Sequence, residues 1–292
     1  MPPVFDAKVL VGILYTGENE WEECQQSIAQ QTLAPVEQLT IAWLPNEQAH
    51  QLLYQSFESK KDEVDYFVKI DADMVLRKST FFEGVVDLFN RQPSVDHLEI
   101  PVFDHFLERE ILGLNCFRST VSRKSGKNSI FTDACFVGKE KYRDWEILAP
   151  AADHCPDPSP FQSYHYGVHK AVKFHQESRS HWNSRRAQVN WDRFQILLRN
   201  WRQGKKQIHR LAILGFLDAI YFGWTSWDLD FNAPTVRERL ERRGDLPSVA
   251  PLLSQSPLGS ALLLPSRLRK KLFLEIAWKR SSRIRPQKIR EQ

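Results

Sequence analysis

The sequence predicts an α/β fold with an open, twisted and mostly parallel sheet flanked by helices, followed by a helical C-terminal extension. Short apolar runs alternate with amphipathic stretches over the first 140 residues, which is the pattern of successive strand–helix–strand units. Lys8–Tyr15 (K-V-L-V-G-I-L-Y) is almost continuously apolar, as expected for a strand buried on both faces. After Lys141 the composition changes to a proline-rich loop and then to helical sequence.

Hydrophobic periodicity and turn residues locate the individual elements. Strands are predicted at Lys8–Tyr15, Glu37–Leu44, Tyr66–Ile70, His97–Phe103 and Ile130–Val137. Helices are predicted at Trp21–Gln31, Gln48–Ser59, Phe81–Asn90, Trp191–Arg202 and Lys205–Phe222. One more helix is expected to run to about His175, because Ser159 is a good N-cap, Pro160 suits the first helical position and Gln162 completes a capping box.

Composition excludes several classes of protein. Hydrophobic residues make up 42% of the 292 residues and charged residues 26%, which excludes a disordered chain. No window approaches the ~20 consecutive apolar residues of a membrane-spanning helix. The four cysteines lie far apart without a C-x-x-C pair, which argues against a zinc ribbon or a disulfide framework. The expected location is the cytoplasm, where thiols stay reduced.

Basic residues are concentrated at the C-terminus. Residues 267–292 hold ten Lys/Arg and two acidic residues, although the net charge of the whole chain is only +4. The remainder is therefore mildly acidic, and no nucleic-acid partner is expected. Leu268, Leu272, Phe273 and Ile276 lie among these charges. A basic amphipathic helix in peripheral contact with an anionic membrane, on its inner face, and a solvated or disordered tail remain alternatives.

Asp71 and Asp73 are the first candidates for chemistry. They follow the predicted strand Tyr66–Ile70 at its carboxyl end, where α/β proteins bind ligands. Side chains two residues apart in extended backbone project to the same side, so both carboxylates are expected to face one Mg²⁺ or Mn²⁺. A strand-ending turn with solvated acids is the alternative. A second pair of the same spacing, Asp228 and Asp230, follows a predicted helix and lacks this context.

Two segments carry more specific patterns. Within Val9–Thr32, the residues Glu22-Glu23-Cys24, Ser27-Ile28 and Gln31-Thr32 follow the pattern E-E-C-x-x-S-[IL]-x-x-Q-T. Val68–Leu76 (V-K-I-D-A-D-M-V-L) is a strand that leads into a D-x-D motif. Together, over roughly residues 8–140, these patterns resemble family 2-like glycosyltransferases, which have the GT-A (nucleotide-diphospho-sugar transferase) fold. At the end of the second strand, where many members carry an acidic pair, this chain has Trp43-Leu44-Pro45-Asn46.

The resemblance implies roles for particular side chains. Thr16 and Glu18 would lie beside the nucleoside of the donor, Asp71 near the ribose or the metal, and Asp73 on the metal. The expected metal is Mn²⁺ or Mg²⁺, which would stabilise the departing diphosphate. The family often takes a third metal ligand from a downstream histidine. The first candidate is His165, and the others are His169, His175 and His181.

The resemblance also raises the question of the catalytic base. Inverting members carry a Glu-Asp pair at the start of a later helix, and the Asp is the base. The corresponding helix here begins after Ser159 without such a pair, and the nearest acids are Asp153 and Asp157. Asp157 lies between Pro156 and Pro158, which restrict the loop, so we favour it over Asp153. A retaining mechanism or a histidine base are the alternatives.

The resemblance implies a metal-dependent glycosyltransferase (hexosyltransferase-type) that moves a sugar from a nucleoside-diphosphate-sugar to an acceptor hydroxyl. The acceptor would be a saccharide or a lipid-linked molecule, as in bacterial surface polysaccharide or glycolipid synthesis. A non-catalytic GT-A-like module that binds nucleotide-sugars is one alternative. A nucleotidyltransferase is another, but it would carry a Gly-rich basic phosphate loop where this chain has Thr16-Gly17-Glu18-Asn19-Glu20.

The predicted organisation has three parts. A GT-A catalytic domain covers residues 1–180, with a donor half at about 1–140 and an acceptor half at about 141–180. A helical extension covers residues 181–265, and a basic tail covers residues 266–292.

Asp73 is expected to be required for metal-dependent donor binding. Without a cation, the donor diphosphate would meet bare carboxylates, each at a cost of roughly 4 kcal/mol at ~4 Å. In calorimetric titrations of a nucleoside diphosphate with and without Mn²⁺, Asp73→Asn should lose the manganese enhancement and Asp71→Asn should weaken it. Asp228→Asn is the control that should retain it. An enhancement that survives in Asp73→Asn would contradict the metal assignment.

Overall fold

The computed structural model describes residues 6–123, 136–137, 140–175, 184–225, 234–242, 258, 260–264 and 266–288. The chain forms two compact units, Met1–Pro158 and Ser159–Gln292. The boundary predicted from the sequence lies near residue 180. The difference arises because the helix that starts at Pro160 packs closely against later helices of its own unit.

The first unit is an α/β layer structure with a mixed sheet. Its strands are β1 Val9–Tyr15, β2 Glu37–Ala42, β3 Tyr66–Asp71, β4 Met74–Leu76, β5 His97–Asp104, β6 Arg109–Arg118, β7 Ser122–Arg123, β8 Phe136–Val137, β9 Lys141–Arg143 and β10 Ala152–His154. Within the described residues, seven strands follow the order β2-β1-β3-β6-β5-β10-β4, and β9 pairs with β5. β7 and β8 form a separate two-stranded sheet.

Helices cover both faces of the sheet. They are α1 Trp21–Ala29, α2 Asn46–Ser59 and α3 Phe81–Arg91. Because successive side chains of a strand point to opposite faces, Val9 and Val11 of β1 join the cluster that includes residues of α1 and α3, whereas Leu10 packs with residues of α2. Both faces of β1 are therefore buried, which explains its continuous apolar run.

The sheet is mixed rather than mostly parallel. Pairings of β1 with β2 and β3, and of β5 with β9 and β10, are parallel, but β6 is antiparallel to both β3 and β5. β6 forms a hairpin with β5 and lies next to β3, so its strand direction is opposite to that of both neighbours. The α/β class is confirmed, and the antiparallel strands in the second half were not predicted.

Helices make up the described part of the second unit. They are α4 Pro160–His175, α5 Arg185–Gly204, α6 Gln207–Phe222, α7 Pro234–Glu241 and α8 Ser266–Lys288, with a 3₁₀ turn at Ser260–Leu263. The capping box at the start of α4 is confirmed: the Gln162 N–H donates to Ser159 Oγ at 3.2 Å, and the Ser159 N–H donates to Gln162 Oε1 at 3.0 Å. Phe194 of α5 stacks on Phe216 of α6 with ring centroids 3.9 Å apart.

Two glycines allow α4 and α6 to approach each other closely. A Cβ atom on Gly167 would lie 1.7 Å from the carbonyl oxygen of Ala212, and one on Gly215 would lie 2.0 Å from that of Tyr164. Beside this crossing, the Tyr164 hydroxyl donates to the buried Asp218 carboxylate at 2.7 Å. No side chain larger than hydrogen fits at either glycine while the two backbones keep this separation.

The basic tail includes a long helix. α8 buries Phe273 and Ala277, whereas Leu268 and Leu272 are exposed next to Lys271. Among the described residues, none of the helices is both long and apolar enough to cross a membrane.

Gly167→Ala is expected to lower the free energy of unfolding by about 2 kcal/mol or more, because the added methyl group must push two backbones apart. Thermal or urea-induced unfolding followed by helical circular dichroism would measure it. Gly204→Ala in α5 is the matched control, since its Cβ would meet only the Lys206 side chain at 3.8 Å. Equal unfolding midpoints for Gly167→Ala and the unchanged protein would contradict the close crossing.

Candidate active site

Three segments of the first unit meet at the carboxyl ends of β1 and β3. These segments are the loop 16–20 after β1, the turn 72–73 after β3, and residues 153–157. The Ala72 N–H donates to the Leu14 carbonyl at 3.0 Å and joins the turn to β1. β10 pairs antiparallel with β4 so that His154 lies opposite Met74. The Cys155 N–H then donates to the Asp73 carbonyl at 2.8 Å, which brings residues 154–155 to the turn.

Asp73, His154 and Cys155 form a compact cluster of possible metal ligands. Cys155 Sγ lies 3.1 Å and His154 Nε2 lies 3.4 Å from Asp73 Oδ2. Cys155 Sγ and His154 Nε2 are 3.8 Å apart. The other carboxylate oxygen, Asp73 Oδ1, is buried and has no hydrogen-bond partner among the described residues. Burial and the charge of Asp73 raise the pKa of the Cys155 thiol.

A buried carboxylate orients the histidine of this cluster. Asp104, at the end of β5, is fully buried, and its Oδ2 lies 3.1 Å from His154 Nδ1. Its other oxygen, Oδ1, accepts a hydrogen bond from the Leu107 N–H at 2.8 Å. Because Nδ1 is engaged by Asp104, the imidazole presents Nε2 to Asp73.

The structure separates the roles of Asp71 and Asp73. Asp71 is the last residue of β3 and its carboxylate pairs with the buried Lys69 at 2.9 Å. The chain turns at residues 72–73, so the extended geometry that was expected to direct both carboxylates to one ion ends before Asp73. Instead, Asp73 meets His154 and Cys155.

Glu18 is held by its own loop. Its carboxylate accepts hydrogen bonds from the Thr16 N–H at 2.6 Å and the Thr16 hydroxyl at 2.7 Å. Burial raises the pKa of Glu18 to about 7, the Thr16 hydrogen bonds oppose this, and the nearby charge of Asp73 adds to it. Glu18 therefore lies close to both Thr16 and Asp73.

The two predicted bases have different surroundings. Asp153 accepts two hydrogen bonds from Arg77, at 2.6 and 2.9 Å, and lies 2.8 Å from His105 Nε2. Burial alone would raise the pKa of Asp153, but the hydrogen bonds from Arg77 and His105 lower it. Asp157 is exposed and is held at the loop after β1 by Asn19, whose amide donates to its carbonyl at 2.8 Å and to its carboxylate at 3.3 Å.

Aromatic side chains adjoin this edge of the sheet. Tyr15, the last residue of β1, stacks on Trp21 with ring centroids 4.5 Å apart, and it packs in a T-shaped arrangement with Trp43 at a centroid distance of 5.2 Å. Trp43 follows β2 with a left-handed φ of 61° and is 59% exposed. The sequence predicted Trp43 to lie inside the strand Glu37–Leu44, whereas β2 ends at Ala42 and leaves Trp43 beyond the strand. No sequence signal marked its exposure.

The side-chain atoms that cluster around Asp73 do not match the Mg²⁺ or Mn²⁺ site that was predicted from Asp71, Asp73 and His165. Asp71 pairs with Lys69, and the atoms that converge on Asp73 are an imidazole nitrogen and a sulfur rather than oxygens. His165 lies in α4 of the second unit, with its ring next to Phe161 and His169. The alternative ligand His181 and the control pair Asp228 and Asp230 lie outside the described residues. His154 and Cys155 were missed because no local pattern marks them.

Comparison with known proteins adds no assignment. No protein-family model matches the chain, and no curated protein sequence matches it.

Ionisation of Glu18 should make the fold less stable as pH rises. Its pKa is about 7 in the folded protein and 4.5 ordinarily, so the folded state holds the proton more tightly and stability falls between those two values. At pH 8 the free energy of unfolding should therefore be larger for Glu18→Gln than for the unchanged protein, by about 3 kcal/mol at most. Near pH 4 the two proteins should have the same free energy of unfolding. The exposed Glu22→Gln is the control, and an advantage for Glu18→Gln that is equal at both pH values would contradict the assignment.

Proposed function

We propose that the chain is a glycosyltransferase with a GT-A fold, which transfers a sugar from a nucleoside diphosphate to an acceptor hydroxyl. One observation carries the proposal: an exposed aromatic surface and a cluster with cation-binding chemistry lie at the same carboxyl edge of β1, β2 and β3. Ligands of open α/β sheets bind at this edge. The family resemblance of Val9–Thr32 and Val68–Leu76 supports the same assignment.

The aromatic group is suited to hold the nucleobase. The exposed ring of Trp43 is braced by Tyr15, which is itself stacked on Trp21. A base that stacks on a protein aromatic ring gains roughly 1–3 kcal/mol. Thr16 and Glu18 follow directly on β1, and we assign them to the nucleoside.

The cation cluster is suited to the diphosphate end of the donor. Asp73 belongs both to the metal site expected from the sequence and to this cluster, in which His154 and Cys155 take the places that the sequence gave to Asp71 and His165. A cation bound there would offset the charge of the diphosphate. The carboxylate of Asp71 carries an ion pair with Lys69 and is available for a hydrogen bond to the ribose.

Asp157 is the better candidate for the base that takes the acceptor proton. Its carboxylate is exposed and held by a neutral amide, that of Asn19. The carboxylate of Asp153 is held by Arg77 and His105, which stabilise its charged form and make it a weaker base. His105, 2.8 Å from Asp153, is the alternative base.

The C-terminal helix supports a lipid-linked acceptor. Leu268 and Leu272 are exposed in α8, one turn apart, and lie next to the basic residues Arg267 and Lys271. Exposed apolar side chains among basic residues are found in helices that lie in the interface of an anionic membrane. We propose peripheral contact of α8 with the inner face of the membrane, where a glycolipid acceptor would be found.

Turnover of a nucleotide-sugar tests the proposal directly. The full chain, with Zn²⁺ or Mn²⁺ present, should release a nucleoside diphosphate from at least one member of a panel of nucleotide-sugars. Trp43→Ala should weaken donor binding about 5- to 100-fold, as expected for the loss of base stacking. Asp157→Asn should lower turnover without changing donor affinity.

One control variant sharpens this experiment. Trp145→Ala removes a similarly exposed tryptophan from another loop and should leave donor affinity unchanged. Donor binding without turnover would favour the non-catalytic binding module. If no nucleotide-sugar of the panel binds, the assignment to this enzyme class is wrong.

A further inference from the structure

The three ligand atoms of the Asp73 cluster already have the spacing of a tetrahedral metal site. Zinc lies about 2.3 Å from a thiolate sulfur and about 2.0–2.1 Å from imidazole nitrogen or carboxylate oxygen, so tetrahedral ligand atoms lie roughly 3.3–3.6 Å apart. Asp73 Oδ2 lies 3.1 Å from Cys155 Sγ and 3.4 Å from His154 Nε2. Cys155 Sγ and His154 Nε2 are 3.8 Å apart. A cation can therefore enter with only small movements of these side chains.

Two independent observations indicate a ligand at this position. The first is the buried Asp73 Oδ1, which has no hydrogen-bond partner in the described part of the chain. A buried acceptor without a partner is costly unless something else binds it. The second is Asp104, whose fully buried carboxylate holds His154 Nδ1 at 3.1 Å. A carboxylate behind a histidine is the usual support of a metal-bound imidazole.

We propose that Asp73, His154 and Cys155 bind a thiophilic divalent cation of the zinc class, and that Asp104 is a positioning residue for His154. Three protein ligands leave the fourth position of a tetrahedral site for water or for an oxygen of a bound molecule. Binding of the cation does not depend on which reaction the chain catalyses.

The chemistry of the three ligand atoms determines which class of cation the site favours. Thiolate and imidazole favour Zn²⁺ and Co²⁺ over Mg²⁺, which requires oxygen ligands in octahedral geometry. Cys155 lies in a left-handed conformation with φ 53° and is 3% exposed, so the backbone fixes its sulfur next to Asp73. An Mg²⁺ site would gain nothing from this placement of the thiol.

The test uses the full chain, stripped with a chelator under a phosphine reductant. Titration with Co²⁺ should produce a near-ultraviolet thiolate-to-metal charge-transfer band and visible bands of tetrahedral intensity. Zn²⁺ should abolish these bands at one equivalent, whereas excess Mg²⁺ should leave them unchanged. The readout is spectroscopic, so it can succeed even if the proposed sugar transfer fails, and the reverse also holds.

Variants assign the ligands. Cys155→Ser should lose the charge-transfer band, whereas Cys116→Ser, which removes another fully buried thiol, should keep it. Asp73→Asn should weaken Zn²⁺ binding at least tenfold while its circular dichroism spectrum shows an intact fold. If Cys155→Ser does not fold, this variant still tests the proposal. Asp104→Asn should weaken binding about 10- to 100-fold and still show the charge-transfer band at saturating Co²⁺.

Three results would overturn the proposal. One is a charge-transfer band that persists in Cys155→Ser or disappears in Cys116→Ser. Another is tight binding of Mg²⁺ with no binding of Zn²⁺ or Co²⁺. The last is unchanged Zn²⁺ affinity in a folded Asp73→Asn. Unchanged Zn²⁺ affinity in Asp104→Asn would remove the positioning role and leave the three ligands in place.

Discussion

The short antiparallel pairing of β4 with β10 is the constraint on which the candidate site depends. Only three residues pair, Met74–Leu76 with Ala152–His154, yet this register places Cys155 next to Asp73 across 82 positions of sequence. The backbone bond from the Cys155 N–H to the Asp73 carbonyl extends the pairing by one step. β10 also runs parallel to β5, which brings Asp104 behind His154. A shift of one residue in this register would turn His154 to the other face of the sheet.

The same geometry brings several ionisable side chains together in a partly buried place. Burial raises the pKa of Glu18 to about 7, and the charge of Asp73 contributes. The thiol pKa of Cys155 is raised by burial and by the charges of Asp73, Glu20 and Asp104. These raised pKa values favour the neutral forms of Glu18 and Cys155, whereas the proposed cation would favour their charged forms.

The sequence predicts the locally determined parts well and misses the parts fixed by long-range pairing. The apolar run of β1 and the capping box of α4 are local signals, and both are confirmed. β10 has three residues and no periodicity, so nothing near His154 reveals that it adds to the sheet. The expectation for Asp71 and Asp73 depended on a strand that ends at Asp71. The prediction that Asp73 binds a metal stays a prediction, and the side chains that the structure places beside it could be found only once the fold was known.

Anomalous diffraction from a crystal grown with Zn²⁺ and a nucleoside diphosphate would locate the cation and the nucleotide in one experiment. We expect one anomalous peak within bonding distance of Asp73, His154 and Cys155, with a phosphate oxygen in the fourth position of the metal and the base against Trp43. A cation bound beside Asp71 and away from Cys155, or a nucleotide bound elsewhere on the chain, would contradict it.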